Sequence, residues 1–350
     1  MATTATRSMH TEGAHGRREI VCQDLAVGLQ GVIVIDDITL GPGLGGVRFK
    51  QYASMAHAVS ECRRLAAAMT LKNAVAELPF GGAKSVILSR GRTPDRAALM
   101  RRFGDFVAGA GGDYLPGVDM GTGVSDLALM AESGATVSCS TEDPSRWTAA
   151  GVASAIRAAV AHRGLSLTGS RVLIQGAGHV GEELARMLAA DGVVVLIADV
   201  DGPRAQALAD ELDGEVVDPR TVIGTRCDVF APCAVARVLD PDTIERLQCQ
   251  IVAGAANDTL SHRADADLLA ARGITYVPDF VANAGGVVDI HGLRVGWDEQ
   301  RLGQEVQRIG ERTAGLLDAA DARGSTPLAV AEEWAAARLA AHAPTGMKVA

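Results

Sequence analysis

Residues 171–199 read RVLIQGAGHVGEELARMLAADGVVVLIAD and decide the fold class of the chain. An apolar strand at 171–175 leads directly into a glycine turn at 176–181. Residues 182–190 repeat apolar positions at helical spacing, and residues 193–199 form a second, continuous apolar strand. Strand, glycine turn, helix and strand make a βαβ unit. This unit predicts an α/β protein with a parallel sheet covered by helices.

The glycine turn has the spacing G-x-G-x-x-G, at Gly176, Gly178 and Gly181. The first glycine permits a tight turn, the second admits the backbone to a pyrophosphate, and the third lets helix and strand pack closely. Asp199 ends the second strand, where an acidic side chain binds the ribose hydroxyls of NAD and repels the 2′-phosphate of NADP. The unit therefore predicts a Rossmann-type domain that binds NAD. Arg204 leaves NADP as an alternative, and a glycine turn without any ligand is another.

The composition of the whole chain excludes several classes of protein. With 350 residues, 48% of them apolar, and a net charge of −9, the chain is neither disordered nor a nucleic-acid binder. No segment reaches the roughly 18 apolar residues of a membrane helix, and the polar first residues lack the apolar core of a secretion signal. Six scattered cysteines without zinc-site spacing predict reduced, mostly buried thiols, no metal and a cytoplasmic location.

The length predicts two domains, at about 100–200 residues per domain. We place the first at residues 1–146 and the Rossmann-type domain at 147–319. Residues 300–340 are alanine-rich and helical, and we expect the helix at about 320–350 to pack back onto the first domain.

Three segments of the first domain carry local structural signals. The alternating residues 30–37 predict a strand, and helical spacing of apolar residues begins at Met55. The glycine-rich residues 41–46 are interpreted as a loop, and residues 78–85 as a turn leading into a short apolar element at 86–88.

The first domain also carries candidate catalytic residues. Lys72 and Lys84 are two of only four lysines and lie near glycine-rich or apolar sequence. A lysine beside another cation in an apolar pocket has a lowered pKa and can act as a general base. Asp119 lies among small residues that would let its carboxylate approach a substrate, and Asn257 and Asn283 lie in the second domain, where strand ends face the ligand crevice. Two surface lysines and a turn aspartate remain the simpler alternative.

Eight segments, spanning about residues 30–330, together resemble the glutamate/leucine/phenylalanine/valine dehydrogenase family, in its branch that acts on hydrophobic L-amino acids. They are GPGLGGVR (41–48), MTLKNAVAELPFGGAKSVI (69–87), GVDMGTGVSDL (117–127), TAAGV (148–152), QGAGHVG (175–181), CDVFAPCA (227–234), VAGAAND (252–258) and PDFVANAGGV (278–287). Their joint occurrence in this order is far more specific than any one segment.

The resemblance implies reversible, NAD-dependent oxidative deamination of an L-amino acid to its 2-oxo acid, ammonia and NADH. It implies that Lys72 binds the substrate carboxylate, that Lys84 activates water and that Asp119 moves the proton of the amino group. The implied substrate pocket comprises Leu44, Gly45, Gly46, Gly117, Asn257 and Val281. The implied cofactor contacts are Thr148, Gly178, His179, Val180, Asp199, Asn257 and Asn283.

The resemblance also implies how the protein works as a whole. It implies a cleft between the domains that closes on the substrate, and a homo-oligomer assembled through the first domain. The expected partners are small molecules, with no nucleic acid and no membrane.

The preferred amino acid is harder to infer. Leu44 and the lack of an obvious third basic residue indicate an apolar side-chain pocket. Gly117 and Val281 resemble phenylalanine dehydrogenases, whereas Leu44 and residues 72–74 are equally typical of the leucine and valine enzymes. We therefore expect phenylalanine as the substrate, with leucine or valine as the alternative.

Two other functions are less well supported. A 2-hydroxy-acid dehydrogenase would need a histidine–carboxylate pair near the nicotinamide, and His179 lies within the phosphate turn instead. A non-catalytic NAD-binding regulator is disfavoured because Lys72, Lys84 and Asp119 are all present.

Overall fold

The computed structural model describes residues 6–11, 17–89, 91, 95–138 and 143–343. The chain divides into two compact units. The first consists of the described parts of residues 1–142 and 334–350, and the second of residues 143–333. The division falls a few residues before the boundary that the sequence predicts.

The first unit is built on a mixed six-stranded sheet. Its described elements are β1 (Thr6–Thr11), β2 (Arg18–Asp24), β3 (Leu29–Asp37), β4 (Gly43–Lys50), α1 (Met55–Val75), β5 (Gly81–Leu88), α2 (Arg96–Ala108), β6 (Tyr114–Val118) and α3 (Val124–Glu132). The strands lie in the order β1-β2-β3-β5-β4-β6. β4 runs parallel to β5 and β6, whereas β3 pairs antiparallel with β2 and β5. The predicted strand at 30–37 is thus β3.

Alternation along β3 separates the two cores of this sheet. Val32 and Val34 belong to one buried cluster together with Cys62 of α1, while Ile33 and Ile35 belong to another that includes α2 and α3. Successive strand residues point to opposite faces, so the continuous apolar run at residues 32–35 is covered on both sides of the sheet.

Two segments that the sequence analysis places outside strands belong to strands. Gly43–Gly46 are part of β4, and Gly81–Gly82 begin β5. Glycine is usually depleted from strands, but it is used where another backbone comes very close. A Cβ at Gly45 would lie 1.7 Å from the Ala83 carbonyl oxygen. Lys84 therefore lies on an interior strand and not at a turn.

The second unit is a parallel six-stranded sheet with helices. Its described elements are α4 (Ser145–His162), β7 (Arg171–Gln175), α5 (His179–Ala190), β8 (Val194–Ala198), α6 (Gly202–Leu212), β9 (Glu215–Val216), a 3₁₀ turn (Val222–Gly224), β10 (Val229–Pro232), α7 (Pro241–Arg246), β11 (Ile251–Val252), α8 (Asp265–Ala271), β12 (Thr275–Tyr276), α9 (Asp279–Ala282), α10 (Gly285–Val295), α11 (Glu299–Arg323) and α12 (Pro327–His342). Residues 334–342, at the end of α12, are grouped with the first unit.

The strand order of the second sheet is β12-β11-β10-β7-β8-β9, with every pair parallel. The order reverses beside β7, which is followed directly by Gly176. This is the doubly wound arrangement in which a dinucleotide binds at the carboxyl ends of the strands, at the switch point. The predicted fold class, two α/β domains of which the second is Rossmann-type, is confirmed.

The alanine-rich residues near the end form two helices instead of one. Gly324, with φ of +60°, ends α11, and Pro327 begins α12. Such a left-handed glycine satisfies the last carbonyls of a helix while redirecting the chain. How the final helix packs stays a prediction.

None of the described helices is long and apolar enough to cross a membrane. Cys139 lies outside the described residues. The other five cysteines have free thiols, and Cys22, Cys62 and Cys227 are buried. Within the described residues, no group of three or more histidine, cysteine, aspartate or glutamate side chains could hold a metal ion.

Candidate functional site

A buried ion pair joins Lys84 of β5 to Asp119, which directly follows β6. Lys84 Nζ lies 2.5 Å from Asp119 Oδ2, and the two side chains are 10% and 16% exposed. β4 lies between β5 and β6 in the sheet. A Cβ at Gly46 of β4 would lie 3.2 Å from Lys84 Nζ and 2.7 Å from Asp119 Cβ. The two predicted catalytic residues are therefore in contact across a strand position that has no room for a side chain.

Two further charged residues, which the sequence analysis missed, extend this pair. Arg48 donates from Nε to Asp119 Oδ2 over 3.2 Å and from Nη2 to Oδ1 over 3.3 Å. Its Nη1 donates to Glu61 of α1. The side chains of Arg48 and Glu61 are 14% and 18% exposed. Alternation along β4 could have indicated Arg48, because it lies two residues after Gly46 and so on the same face of the sheet.

The neighbouring charges set the protonation state of Asp119. Burial acts to raise the pKa of its carboxyl group, but Lys84 and Arg48 outweigh burial and hold that pKa well below its usual range. The backbone amide of Met120 also donates to Oδ1, over 2.6 Å. Asp119 is therefore a carboxylate at neutral pH.

A tight loop fixes Asp119 at the end of β6. The Asp119 amide donates to Thr122 Oγ1 over 3.0 Å, and this hydroxyl donates to the Val47 carbonyl oxygen over 2.7 Å. Arg96 donates to the Gly121 carbonyl oxygen over 2.6 Å. Thr122 thus links the backbone of Asp119 to the neighbouring strand β4 by hydrogen bonds, which fixes the position of the Asp119 side chain.

Lys72 lies in the last turn of α1, and both it and Lys84 are only 8% exposed. Lysine is almost never buried unless it is paired. The interpretation of Lys72 and Lys84 as ordinary surface lysines is therefore wrong. The sequence argument expects a second cation beside a lysine of this kind. In the structure, Lys84 contacts a carboxylate instead, that of Asp119. Asn73 donates to the Gly81 carbonyl oxygen over 2.6 Å and ties the end of α1 to β5.

The predicted pocket residues of the first unit lie on two neighbouring strands. Leu44, Gly45 and Gly46 belong to β4, and Gly117 of β6 pairs with Gly46. Leu44 is 1% exposed and, two residues before Gly46, shares its face of the sheet. A Cβ at Gly117 would lie 3.0 Å from the hydroxyl oxygen of buried Ser138. The space beside this glycine is therefore bounded by Ser138.

The glycine turn of the second unit has the local geometry that its spacing predicts. Gly176 adopts a φ of +106°, and a Cβ at Gly181 would lie 1.9 Å from the Gly176 carbonyl oxygen. At Gly178, the N-cap of α5, a Cβ would meet nothing within 4 Å. The backbone is thus open in front of the helix N-terminus, where free N–H groups attract phosphate.

Asp199 follows β8 and supports this turn directly. Its Oδ2 accepts a hydrogen bond from the Ala177 amide over 2.6 Å, and its Oδ1 accepts one from the Asp201 amide over 2.8 Å. Arg204, the residue that could favour NADP, has its guanidinium 3.3 Å from Asp201 Oδ2.

A second group of predicted residues clusters within the second unit. Asn283 donates from Nδ2 to Asn257 Oδ1 over 2.9 Å and to the Ala255 carbonyl oxygen over 3.0 Å. A Cβ at Gly286 would lie 2.8 Å from Thr148 Oγ1, so the segment containing Asn283 packs on the start of α4. Val281 also belongs to this unit and is 2% exposed.

His179 and Val180 form the first turn of α5. The His179 side chain is 82% exposed, and its Nδ1 lies 2.8 Å from Asp143 Oδ2. His179 and Asp143 line a cavity of about 260 Å³ together with Ser145, Arg146, Glu182 and Glu183.

These features fit a bound dinucleotide. Besides the open glycine turn, two buried side-chain oxygens among the described residues of the second unit have no hydrogen-bond partner: Gln175 Oε1 and Asn283 Oδ1. Gln175 directly precedes the turn, and Asn283 is 4% exposed. Buried polar atoms are normally paired, so each of these oxygens can accept a hydrogen bond from a ligand.

Comparison with known proteins agrees with the motifs and the fold. Residues 20–136 match the model of the Glu/Leu/Phe/Val dehydrogenase dimerisation domain, and residues 141–207 and 204–313 match that of Glutamate/Leucine/Phenylalanine/Valine dehydrogenase. A leucine dehydrogenase of Thermoactinomyces intermedius is 36% identical over 91% of this chain and 90% of its own length. A valine dehydrogenase of Streptomyces coelicolor is 36% identical over 96% of this chain and 95% of its own.

A solved structure shows the same architecture. The L-tryptophan dehydrogenase of Nostoc punctiforme is 32% identical and has a TM-score of 0.78. The match covers 93% of this chain and 95% of that one. The enzyme class indicated by the sequence motifs, an amino acid dehydrogenase, is confirmed. The chain belongs to the glutamate/leucine/phenylalanine/valine dehydrogenase family.

Proposed function

We propose that the protein catalyses the reversible, NAD-dependent oxidative deamination of a branched-chain L-amino acid, leucine or valine, to its 2-oxo acid, ammonia and NADH. The observation that carries this proposal is the buried Lys84–Asp119 ion pair beside the bare backbone of Gly46. The relatives named leucine dehydrogenase and valine dehydrogenase support the choice of substrate.

The first unit binds the amino acid and moves its protons. Lys72 pairs with the substrate carboxylate, and Gly45 and Gly46 let the substrate approach the strand backbone. NAD, when bound, accepts a hydride from the substrate Cα. The Lys84 amine accepts a proton from the water that attacks the resulting iminium carbon. The Asp119 carboxylate takes a proton from the substrate ammonium before hydride transfer and returns it to the nitrogen that leaves as ammonia; placing these groups in contact supplies much of the rate.

The second unit binds the dinucleotide. Gly176, Gly178 and Gly181 present the N-terminus of α5 to the pyrophosphate. Asp199 meets the adenosine ribose, where its negative charge disfavours the 2′-phosphate of NADP. Pairing of Arg204 with Asp201 supports the choice of NAD, because that guanidinium already has a carboxylate partner.

The remaining cofactor contacts lie at the two ends of the dinucleotide. Thr148, Asn257 and Asn283 hold the nicotinamide end, with the unpartnered Asn283 Oδ1 available to the carboxamide N–H. His179 and Val180 border the phosphates from the first turn of α5.

Phenylalanine is the alternative substrate. Its support in the sequence is the resemblance of Gly117 and Val281 to phenylalanine dehydrogenases. Ser138 Oγ lies 3.0 Å from the position that a Cβ at Gly117 would occupy. A polar hydroxyl group therefore bounds the space beside this glycine. An apolar pocket discriminates one methylene by only about 1–3 kcal/mol, so activity on several apolar amino acids is expected.

The protein acts as a homo-oligomer in this proposal. The match of residues 20–136 to a dimerisation-domain model supports assembly through the first unit. The partners are otherwise small molecules, and the five free thiols are in keeping with a cytoplasmic location.

The proposal is tested by NADH formation with leucine, valine, phenylalanine, tryptophan and glutamate, each with NAD and with NADP. We expect the highest kcat/KM for leucine or valine with NAD and little activity with glutamate. Highest activity on phenylalanine would replace the branched-chain assignment. No activity on any amino acid, with NAD still bound, would refute the enzyme proposal.

A further inference from the structure

Four largely buried charged side chains form a row across the first sheet. Glu61 of α1 contacts Arg48 of β4, Arg48 contacts Asp119 after β6, and Asp119 contacts Lys84 of β5. The charges alternate in sign along the row. Each of the four side chains is 18% exposed or less. A buried charge is costly unless it is paired and hydrogen-bonded, so each of the four depends on its neighbours.

Arg48 contacts both oxygens of Asp119. Nε donates to Oδ2, which also contacts Lys84, and Nη2 donates to Oδ1, which also accepts from the Met120 amide. A guanidinium that contacts both oxygens fixes the plane of a carboxylate, which a single ammonium does not do. Glu61 occupies Nη1, the remaining arm of the fork. Arg48 is therefore held from one side and holds Asp119 from the other.

We propose that Arg48 is a positioning residue for the reaction, held by Glu61, which fixes the Asp119 carboxylate in its ionised form against Lys84 Nζ. Arg48 acts through Asp119 and is not itself a catalytic residue. This inference rests on the proposed function, in which Asp119 and Lys84 handle the reacting protons.

The charge balance around Asp119 gives the consequence of losing Arg48. Burial favours the neutral acid, and two cations oppose it. Without Arg48, only Lys84 and the Met120 amide are left to oppose burial, so the pKa of Asp119 rises. Activity that requires the carboxylate is then lost at a higher pH than in the wild type. An opposite charge at this range lowers a carboxyl pKa by about 1–3 units, so losing Arg48 raises the pKa of Asp119 and moves upward the acid limb that this carboxylate sets.

The other charged and titratable groups near Asp119 do not replace Arg48. Those that face Asp119 or its partners are Lys84, Glu61, Lys50, Cys62, Tyr52 and Tyr114. Lys50 lies 3.9 Å from Glu61 and is 44% exposed, and burial raises the pKa of the Cys62 thiol to about 12, so that it stays neutral.

The test compares the pH dependence of kcat and kcat/KM for leucine in the wild type, Arg48→Met and Arg48→Lys. The matched control is Arg63→Met, which removes an arginine that also contacts both oxygens of a carboxylate, that of Glu19, but is 51% exposed. We expect Arg48→Met to lower kcat about tenfold or more and to move the acid limb upward. Arg48→Lys should recover part of kcat, because it restores the charge without the fork. Arg63→Met should leave the profile unchanged.

A second measurement does not depend on activity. Infrared titration of the protein without cofactor reports protonation of Asp119 directly. The spectrum of Arg48→Met/Asp119→Asn is subtracted from that of Arg48→Met, so that the difference contains the Asp119 band. We expect its protonated-carboxyl band to appear at a higher pH than in the corresponding wild-type difference. Arg48→Lys serves the same comparison if Arg48→Met does not fold.

The outcomes separate this inference from the proposed function. An active Arg48→Met or Arg48→Lys variant with the wild-type acid limb, and no infrared change, would overturn the inference. A wild type that is inactive on every amino acid would refute the proposed function instead, whereas the infrared shift would still support the role of Arg48 in holding Asp119 ionised.

Discussion

Substituting Gly46 by alanine tests whether the Lys84–Asp119 contact needs a strand position without a side chain. The new Cβ would lie 2.7 Å from Asp119 Cβ and 2.7 Å from the Val118 carbonyl oxygen. Ordinary contact begins at 3.4 Å, so both atoms are 0.7 Å too close. The Val118 oxygen belongs to the backbone of β6 and cannot rotate away. Asp119 and the end of β6 must therefore shift by a substantial part of an ångström.

This displacement should affect catalysis more than folding. A misplacement of about 1 Å at reacting groups costs about 100-fold in rate, so we expect kcat/KM for leucine to fall about 10- to 100-fold. Overpacking of this kind costs about 1–3 kcal/mol of stability, which lowers the melting temperature without unfolding the protein. NAD affinity should not change, because Gly46 belongs to the first unit.

The assay is NADH formation with leucine, combined with thermal unfolding and NAD titration. Gly123→Ala is the matched control, since it adds the same methyl group in the loop after Asp119, where nothing lies within 4 Å. We expect Gly123→Ala to keep kcat/KM close to the wild-type value. Wild-type kcat/KM in a folded Gly46→Ala variant would refute the reasoning.

Two further predictions concern the cofactor and the thiols. Asp199→Ala should weaken NAD binding about 10-fold and reduce the preference for NAD over NADP, because it removes both the ribose acceptor and the hydrogen bond to the Ala177 amide. Titration with each dinucleotide measures both effects, and an unchanged preference for NAD would contradict the prediction. In the folded protein at neutral pH, the half-buried Cys249 should be alkylated by iodoacetamide before Cys62, which is fully buried and whose pKa burial raises to about 12. Mass spectrometry of peptides reads the order, and early modification of Cys62 would show that α1 does not pack as described.

The second unit could be predicted from local sequence because each of its signals is local. The apolar run at 171–175 is β7 with the same bounds, and the run at 193–199 contains β8. The helix begins at His179, three residues before the predicted start, because the end of the glycine turn is already its first turn. Strand order could also be anticipated, since short βα connections favour a doubly wound sheet.

The first unit was harder to predict because its signals are not local. Local sequence places Gly43–Gly46 in a loop and Gly81–Gly82 in a turn, since glycine usually weakens a strand. These glycines lie in strands because β4, β5 and α1 approach one another very closely there. No local sequence pattern indicates that approach. Residues 84 and 119 meet only because β4 is inserted between β5 and β6.

Arg48 shows what sequence reasoning could have found but did not. It lies in the motif-bearing segment 41–48 and shares a face with Gly46. Glu61, by contrast, is the single acidic residue of α1 and lies in none of the motif segments, so nothing in the sequence connects it with Arg48. The preference for phenylalanine rested on Gly117 alone within the first unit, and the position of Ser138 could not be read from the sequence.

The central claim is that Lys84 performs the chemistry of an amino acid dehydrogenase while the second unit binds NAD. The most direct test measures kcat for leucine and the dissociation constant of NAD in the same preparation of Lys84→Ala. We predict that kcat falls by about 100-fold to 10,000-fold, as expected for loss of a general acid–base group, and that the dissociation constant of NAD stays within about twofold of the wild-type value. A folded Lys84→Ala variant that oxidises leucine at the wild-type rate would contradict the account.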